Sequence, residues 1–169
     1  MNSNIHRRDS GIIRTHYLDT SAIVKLVVSE DGSESLRSYR SQHSIFYTTS
    51  LCLAETLGVL KGKYLKNLVS QEQYLTACDI LLGQVRAELL GVDEIKIADQ
   101  KVYSEVDKLA KKYSIDISDA FQIVTLKEGF FSRMEGDSEP ILITADETLA
   151  MAARREGLRV WDCLREAAP

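Results

Sequence analysis

The stretch ILITADETLAMAARREGLRVWD, residues 141–162, decides the fold that we expect for this chain. Its first four residues form a continuous apolar run, which is typical of a strand buried on both faces of a parallel sheet. The pattern then predicts a helix from Glu147 to Glu156, an end at Gly157, and a last strand in LRVWD. Strand, helix and strand in this order predict a right-handed βαβ crossover, with Asp146 directly after the first strand.

The same alternation continues toward the N-terminus. Tyr17 and Leu18 predict a short strand that ends at Asp19, and the residues after it have the spacing of a helix. The next predicted elements are a helix over 33–41, a strand over 45–48, and a helix over 51–65 capped by Thr49 or Ser50. Glu55 interrupts the last of these helices among nonpolar neighbours, where a carboxylate needs a partner.

The middle of the chain is predicted to be mostly helical. Residues 71–90 show one apolar face, which we expect to point inward, and a C-cap at Gly91. The residues assigned to that face are Tyr74, Cys78, Leu81, Leu82, Val85 and Leu89. The remaining predicted elements are a strand over 92–97, a helix from Val102 to Tyr113, and a helix that starts at an N-capping Ser118 and ends at Gly129.

Strands that alternate with helices indicate the fold class. We predict an α/β protein, a doubly wound α/β/α sandwich with a mostly parallel central sheet. The length of 169 residues suits a single domain, which we place at residues 17–165. Residues 1–16 then form an N-terminal extension, which we expect to be poorly ordered.

The composition excludes several classes of protein. With 44% hydrophobic and 27% charged residues, it is typical of a globular chain and not of a disordered or fibrous one. No apolar run suits secretion or approaches the ~20 residues that a membrane helix needs, so we expect a cytoplasmic protein without a membrane partner. Cys52, Cys78 and Cys163 are expected to be reduced and mostly in the core. The net charge of -4 neither predicts nor excludes nucleic-acid binding, because bound cations reverse the local sign.

Four acidic residues mark the predicted site, and they are Asp19, Glu55, Asp119 and Asp146. Asp19 and Asp146 follow apolar strands, and ligands of parallel sheets bind outside the carboxyl ends of the strands. Asp119 opens an apolar helix that is expected to point to the same edge. Clustered carboxylates repel one another by about 4 kcal/mol per close pair at an effective dielectric constant near 20, which a bound cation relieves. The pattern predicts a Mg²⁺ or Mn²⁺ site that hydrolyses phosphodiester bonds.

Four segments of the sequence resemble the motifs of a known family. They are YLDTSAIVKL, SLCLAETLGVL, ISDAFQIVTL and ILITADETLAMAARREGLRVWD, and together they span residues 17–162. In order and spacing they resemble the four acidic motifs of PIN-domain ribonucleases, particularly the VapC-type toxins of toxin-antitoxin pairs. The resemblance implies a Mg²⁺- or Mn²⁺-dependent endoribonuclease that acts on RNA, forms a homodimer and is inhibited by a cognate antitoxin.

The resemblance also implies roles for individual residues. Those that would hold metal, directly or through water, are Asp19, Glu55, Asp119 and Asp146. Ser21 and Thr144 match hydroxyl positions that support the acids or contact phosphate. Lys25 is a possible phosphate contact, although a solvated side chain is the more common state of such a lysine. Two segments depart from the family's pattern, the extension before Tyr17 and the acidic insertion around 133–139, and both bear on how substrate fits.

Each of these residues also has a purely structural interpretation. The alternatives are an N-cap for Asp19, Asp146, Ser21 and Thr144, a salt-bridged core acid for Glu55, and a charge at the helix N-terminus for Asp119. Asp116 lies three residues before Asp119, which we favour because it opens the apolar helix. The remaining candidates, His6, His16 and His43, lack metal-ligand spacing and are interpreted as surface or capping residues.

Two other functions stay open from the sequence. One is a PIN fold that keeps its acids but binds RNA or assembles RNA complexes without cleaving. The other is a phosphatase-like hydrolase, which is disfavoured because the order after Leu18 is Asp-Thr-Ser and not the nucleophilic Asp-x-Asp. Within the nuclease interpretation, a toxin is favoured over a housekeeping enzyme on the resemblance alone.

Overall fold

The central sheet consists of five short parallel strands. The computed structural model describes residues 14–169. The strands are β1 His16–Leu18, β2 Phe46–Thr48, β3 Gly91–Val92, β4 Ile141–Thr144 and β5 Arg159–Asp162. They lie in the order β3-β2-β1-β4-β5, and every pairing is parallel. The predicted doubly wound α/β sandwich is confirmed, with a sheet that is parallel throughout.

Helices connect the strands and cover both faces of the sheet. Within residues 14–169 they are α1 Thr20–Val27, α2 Ser33–Ser41, α3 Ser50–Leu65, α4 Gln71–Arg86, α5 Gln100–Tyr113, α6 Ile117–Glu128 and α7 Glu147–Arg155. Two short 3-10 turns, Phe130–Arg133 and Gly136–Ser138, precede β4. No helix in this part of the chain has the length and apolar character that crossing a membrane requires.

Side chains alternate between two apolar cores, as the two-residue period of a strand requires. In β4, Ile141 and Ile143 belong to the core that also contains residues of α1, α2 and α4, whereas Leu142 belongs to the core with α5, α6 and α7. In β1, Leu18 faces the first core and Tyr17 the second. The run ILIT is uninterrupted because both of its faces are covered.

The direction of strand order reverses between β1 and β4. From β1 the chain winds outward through β2 to β3, and it then returns through α5 and α6 to place β4 on the other side of β1. Leu18 pairs with Ile143 across this point. Ligands of doubly wound sheets bind in the crevice that such a reversal opens at the carboxyl ends of the strands. Asp19 follows β1 directly and Asp146 follows β4 by two residues, so both lie at that crevice.

The strand predicted over 92–97 is present only at its start, because β3 covers Gly91–Val92 and pairing with β2 stops at Val92. The next two side chains turn the chain toward other partners. Asp93 accepts a hydrogen bond from the buried Tyr17 hydroxyl, and Glu94 accepts one from the backbone N–H of Ser50 at 2.6 Å, at the start of α3. Because their side chains bond to groups outside the sheet, Asp93 and Glu94 do not continue the strand.

The predicted end of α4 at Gly91 is also wrong. The helix ends at Arg86, and Gly91 belongs to β3, where an added Cβ would lie 2.6 Å from the ring of Tyr47. Two leucines that we expected to point inward, Leu82 and Leu89, are 45% and 56% exposed. Leu82 is one residue from the buried Leu81 and therefore about 100° around the helix from it, and Leu89 lies beyond the last turn.

His16, which was interpreted as a surface or capping residue, and Lys25, which was expected to be solvated, are both buried. His16 lies in β1, with Nδ1 3.0 Å from the carbonyl oxygen of Ile45, and burial lowers its pKa to about 4. The sheet therefore begins inside the range that was assigned to the N-terminal extension, whereas residues 1–13, with His6, lie outside the described residues. His43 is half-buried, its ring centroid 4.9 Å from that of His16. Lys25, which was expected to be solvated, is only 6% exposed.

Candidate functional site

Six carboxylates line one cavity of about 260 Å³ at the carboxyl edge of the sheet, and five of them form no salt bridge within residues 14–169. These five are Asp19, Glu55, Asp116, Asp119 and Asp146, and they come from the ends of β1 and β4, from α3 and from the start of α6. The four acids that the sequence predicted are therefore brought together. Asp116, which was set aside in favour of Asp119, lines the same cavity.

Asp19 is the most buried of these acids, with 2% of its surface exposed. Its Oδ1 accepts the backbone N–H of Ala22 at 2.7 Å, which caps α1. Its Oδ2 accepts the hydroxyl of Thr144 at 2.7 Å, and the Ser21 hydroxyl lies 2.9 Å from both carboxylate oxygens. Burial raises the pKa of Asp19 to about 6, against the opposing effect of these hydrogen bonds.

The hydroxyls of Ser21 and Thr144 join the ends of β1 and β4. Ser21 Oγ accepts the backbone N–H of Ala145 at 2.7 Å, and Thr144 Oγ1 accepts that of Asp146 at 2.9 Å. Each hydroxyl can therefore donate its proton to Asp19 while it accepts from the turn after β4. Both hydroxyls are thus bonded to Asp19, and the roles that the resemblance implied for them, support of the acids or contact with phosphate, stay predictions.

Two further hydroxyls hold Glu55. Thr20 Oγ1 donates to Oε2 of Glu55 at 2.9 Å, and Ser118 Oγ donates to the same oxygen at 2.7 Å. Ser118 Oγ also lies 2.9 Å from Oδ1 of Asp116, and its single proton serves one of the two carboxylates at a time. Among residues 14–169, no lysine, arginine or histidine forms a salt bridge with Glu55, and these hydroxyls are its hydrogen-bond donors.

Asp119 lies in the first turn of α6 without a hydrogen-bond donor to its carboxylate among residues 14–169. Burial, followed by repulsion from Asp116, Asp19, Asp146 and Glu55, raises its pKa to about 8. Like charges that share a cavity oppose the ionisation of one another. The arrangement therefore favours a cation among the carboxylates.

The N-cap of α6 is Asp116 and not Ser118 as predicted. Oδ1 of Asp116 accepts the backbone N–H of Asp119 at 3.0 Å. A signal in the sequence was available, because an aspartate directly before the apolar run that starts at Ile117 satisfies the N-cap rule as well as a serine one residue inside it. Sequence reasoning also missed Lys63 and Glu30, which line the same cavity and carry no motif of their own.

Capping and ligand binding are compatible in this site. Asp146 accepts the N–H groups of Thr148 and Leu149 with Oδ1 alone, at 2.7 and 3.0 Å. Its Oδ2 has no donor among the described residues, and the same holds for Oδ2 of Asp116 and Oε1 of Glu55. In Asp116 and Asp146, capping uses one carboxylate oxygen and leaves the other available, whereas both oxygens of Asp19 accept hydrogen bonds.

The donor set suits a hard divalent cation. Mg²⁺ and Mn²⁺ prefer carboxylate oxygen and water, and the cavity offers carboxylate oxygens without protein donors. The acids are spread around the cavity, however. Among residues 14–169, no group of three or more His, Cys, Asp or Glu side chains lies close enough together to hold one ion as a unit. Metal binding by Asp19, Glu55, Asp119 and Asp146 stays a prediction, with water as the expected remaining ligands.

Fold and cavity together define a class of protein, a doubly wound α/β protein with an acidic crevice at the reversal of its strand order. The family model of the PIN domain matches residues 16–157, and the chain belongs to the PIN-domain family, as the motifs indicated. PIN domains are generally nucleases.

Two solved structures share this fold. PAE2754 from Pyrobaculum aerophilum has 15% sequence identity and a TM-score of 0.56, over 89% of this chain and 92% of that one. FitAcB from Neisseria gonorrhoeae has 15% identity and a TM-score of 0.57, over 90% of this chain and 100% of that one. At 15% identity, the similarity to these two structures shows a shared fold. No curated protein matches the sequence significantly.

Proposed function

We propose that this protein is a Mg²⁺- or Mn²⁺-dependent endoribonuclease. The observation that carries the proposal is the convergence of five carboxylates from four parts of the chain on one crevice at the carboxyl edge of the sheet. Carboxylates that share a cavity repel one another, and a divalent cation that also binds phosphate would relieve this repulsion through oxygen ligands. Membership of a family of nucleases supports the same conclusion.

The residues of the chain prepare this site in two ways. Ser21 and Thr144 hold Asp19, and Thr20 and Ser118 hold Glu55, so the carboxylates keep their orientation when substrate arrives. When bound, the cation supplies a Lewis acid that activates water and neutralises charge on phosphate. Until then the negative crevice repels RNA, because phosphate and carboxylate carry the same sign.

The test is cleavage of single-stranded and structured RNA in buffer with Mg²⁺, with Mn²⁺ or with EDTA. We expect cleavage in either metal, none in EDTA, and a loss of at least about 100-fold for Asp119→Asn. Asp137→Asn is the matched control, because Asp137 is exposed in the turn before β4, outside the cavity. Equal cleavage by wild type and Asp119→Asn would attribute the activity to a contaminant and overturn the proposal.

One observation favours a second candidate function, an RNA-binding or assembly module that does not cleave. The described carboxylates do not form a compact group for one ion. If this state persists in solution, Mn²⁺ titration by calorimetry will show no binding, and RNA binding by Asp119→Asn and wild type will be equal with and without metal. Stoichiometric Mn²⁺ binding that is lost in Asp119→Asn supports the nuclease instead.

We further propose that the protein is the toxin of a type II toxin-antitoxin pair, of the VapC type. The support is the resemblance of its four acidic motifs to those toxins, which also implies a homodimer and a cognate antitoxin. Expression alone is expected to arrest growth, and co-expression of the neighbouring gene is expected to restore it. Harmless expression of an RNA-cleaving protein would exclude the toxin role while leaving the nuclease in place.

A further inference from the structure

Among residues 14–169, one basic side chain lines the acidic cavity. Lys63 of α3 lines it together with the carboxylates, and so does Glu30 from the segment after α1. Lys63 Nζ lies 2.7 Å from Oε2 of Glu30 and keeps 25% of its side chain exposed. The ammonium group of Lys63 is therefore paired with Glu30 and is still accessible to a ligand in the cavity.

Glu30 holds two lysines at once. Lys25 Nζ lies 2.9 Å from Oε1 of Glu30, and its side chain is 8% exposed. Burial would raise the pKa of Glu30, but the hydrogen bonds from Lys63 and Lys25 outweigh it and keep that pKa below its usual value. Two ammonium groups on one ionised carboxylate leave a net positive charge. Because Lys25 is buried, Lys63 is the member of the cluster that a ligand reaches.

The helix sets the distance between Lys63 and the acids. Glu55, Val59 and Lys63 are spaced at i, i+4 and i+8 on α3, and all three line the cavity. Eight residues correspond to about 12 Å along a helix axis. One helical face thus presents a carboxylate at one end of the cavity and an ammonium group at the other.

A second cavity continues beyond Lys63. It has a volume of about 530 Å³ and is lined by Val27, Leu68 and Val69 together with polar residues of α4. Lys63 and Glu30 line both cavities, so they stand where the acidic crevice passes into this wider groove. Its lining combines apolar and polar side chains, as the linings of ligand-binding clefts do.

We infer that Lys63 binds a phosphate of the RNA strand other than the one that is cleaved, with the strand running from the acids along α3 into the groove. The inference rests on the proposed ribonuclease function. Glu30 keeps the ammonium group at the junction, and the acids remain the site of reaction. Lys63 is therefore a substrate-positioning residue that acts through one charge-assisted contact.

The experiment compares Lys63→Met with Lys66→Met on two substrates. Methionine keeps an unbranched apolar stem and removes the charge, and Lys66 is an exposed lysine at the end of the same helix that lies outside both cavities. On a longer single-stranded RNA we expect Lys63→Met to raise KM about tenfold, with kcat within about twofold of wild type. On a dinucleotide, which has only the cleaved phosphate, the variant and wild type are expected to have equal KM.

Binding supplies an independent readout. In the Asp119→Asn background, which leaves the RNA intact, Lys63→Met is expected to reduce the slope of log K against log salt by about 0.7, the share of one phosphate on a single strand. Lys63→Arg is expected to restore both the slope and KM, because it keeps the charge. Thermal melting of each variant establishes that it is folded.

Two results distinguish a failure of the inference about Lys63 from a failure of the proposed ribonuclease function. If wild type cleaves no RNA, the proposed function fails, and the salt slope alone decides whether Lys63 contacts phosphate. If wild type cleaves but Lys63→Met and Lys66→Met give the same KM and the same slope, the ion pair with Glu30 is only structural and the inference is overturned.

Discussion

The raised pKa of Asp119 makes the metal-free protein less stable as pH rises. The folded chain holds a proton on this carboxyl up to about pH 8, whereas an unfolded chain loses it near pH 3.8. Between these values the folded state binds more protons, so the free energy of unfolding falls with pH by up to about 1.4 kcal/mol per pH unit. Substitution of Asp119 by asparagine removes this penalty.

The size of the expected change in the free energy of unfolding follows from the rise in the pKa of Asp119. A rise in the pKa of Asp119 from 3.8 to about 8 corresponds to about 6 kcal/mol, which is an upper limit. Asp116 and Asp146 are exposed, so water reaches the cavity and screens the repulsion. We therefore expect a gain of about 2 kcal/mol for Asp119→Asn at pH 9 in EDTA, which is a rise in Tm of about 4–8 °C for a chain of this size.

Thermal unfolding followed by circular dichroism, at pH 5 and pH 9, measures this difference. Asp137→Asn serves as the control, since it removes an exposed charge outside the cavity and is expected to change Tm by less than about 2 °C. At pH 5 the gain from Asp119→Asn should largely disappear. Added Mn²⁺ should stabilise wild type by about 2.7 kcal/mol at 100 times Kd and Asp119→Asn by less.

Two results would refute the reasoning. If Asp119→Asn melts below wild type in EDTA at pH 9, the carboxylate is not under repulsion. If the wild-type Tm in EDTA is the same at pH 5 and pH 9, the acids do not share a cavity in solution.

Three further substitutions test other contacts. Ser21→Ala removes a hydroxyl that holds Asp19, and we expect kcat of RNA cleavage to fall about 10-fold or more with a Tm change below about 4 °C, whereas unchanged kcat would contradict this. Hydrogen bonds from two lysines and a tyrosine lower the pKa of Glu156 to about 2. Ionised Glu156 therefore stabilises the fold above about pH 4.5, and this stabilisation is lost as pH falls toward 2. In acid titrations, Glu156→Gln should unfold with a shallower pH dependence than wild type. Gly129→Ala places a Cβ closer than van der Waals contact to the carbonyl oxygen of Thr125, and urea denaturation should show a loss of about 1–3 kcal/mol in the free energy of unfolding.

The elements with a regular period were predictable from sequence. The helix over 33–41 was predicted with its observed ends, and the start of α7 at Glu147 was also correct, because local periodicity and capping set these ends. The prediction failed where a distant partner decides. His16 is buried because β1 lies in the middle of the sheet order, and Val92 ends its strand because Asp93 meets Tyr17, which lies 76 residues away.

The candidate site likewise contains residues that a local sequence pattern indicates and residues that only the tertiary structure reveals. Asp19, Glu55 and Asp146 were recognisable because each interrupts or follows an apolar run, which is a local property. Asp116 was set aside in favour of Asp119, and its place in the cavity depends on how α6 packs, which no local pattern indicates. Lys63 and Glu30 have no local signal, since surface charges are common and only contacts across 33 residues distinguish this pair.

By itself, the sequence determined the alternation of strands and helices, the apolar faces, and which acids stand at the ends of apolar runs. These follow from periods of two and 3.6 residues, which involve only near neighbours. The tertiary structure decided which of those acids meet, which lysine stands with them, and which histidine is buried. These facts depend on the order β3-β2-β1-β4-β5, in which the return of the chain past β1 brings residues 19 and 146 to one crevice.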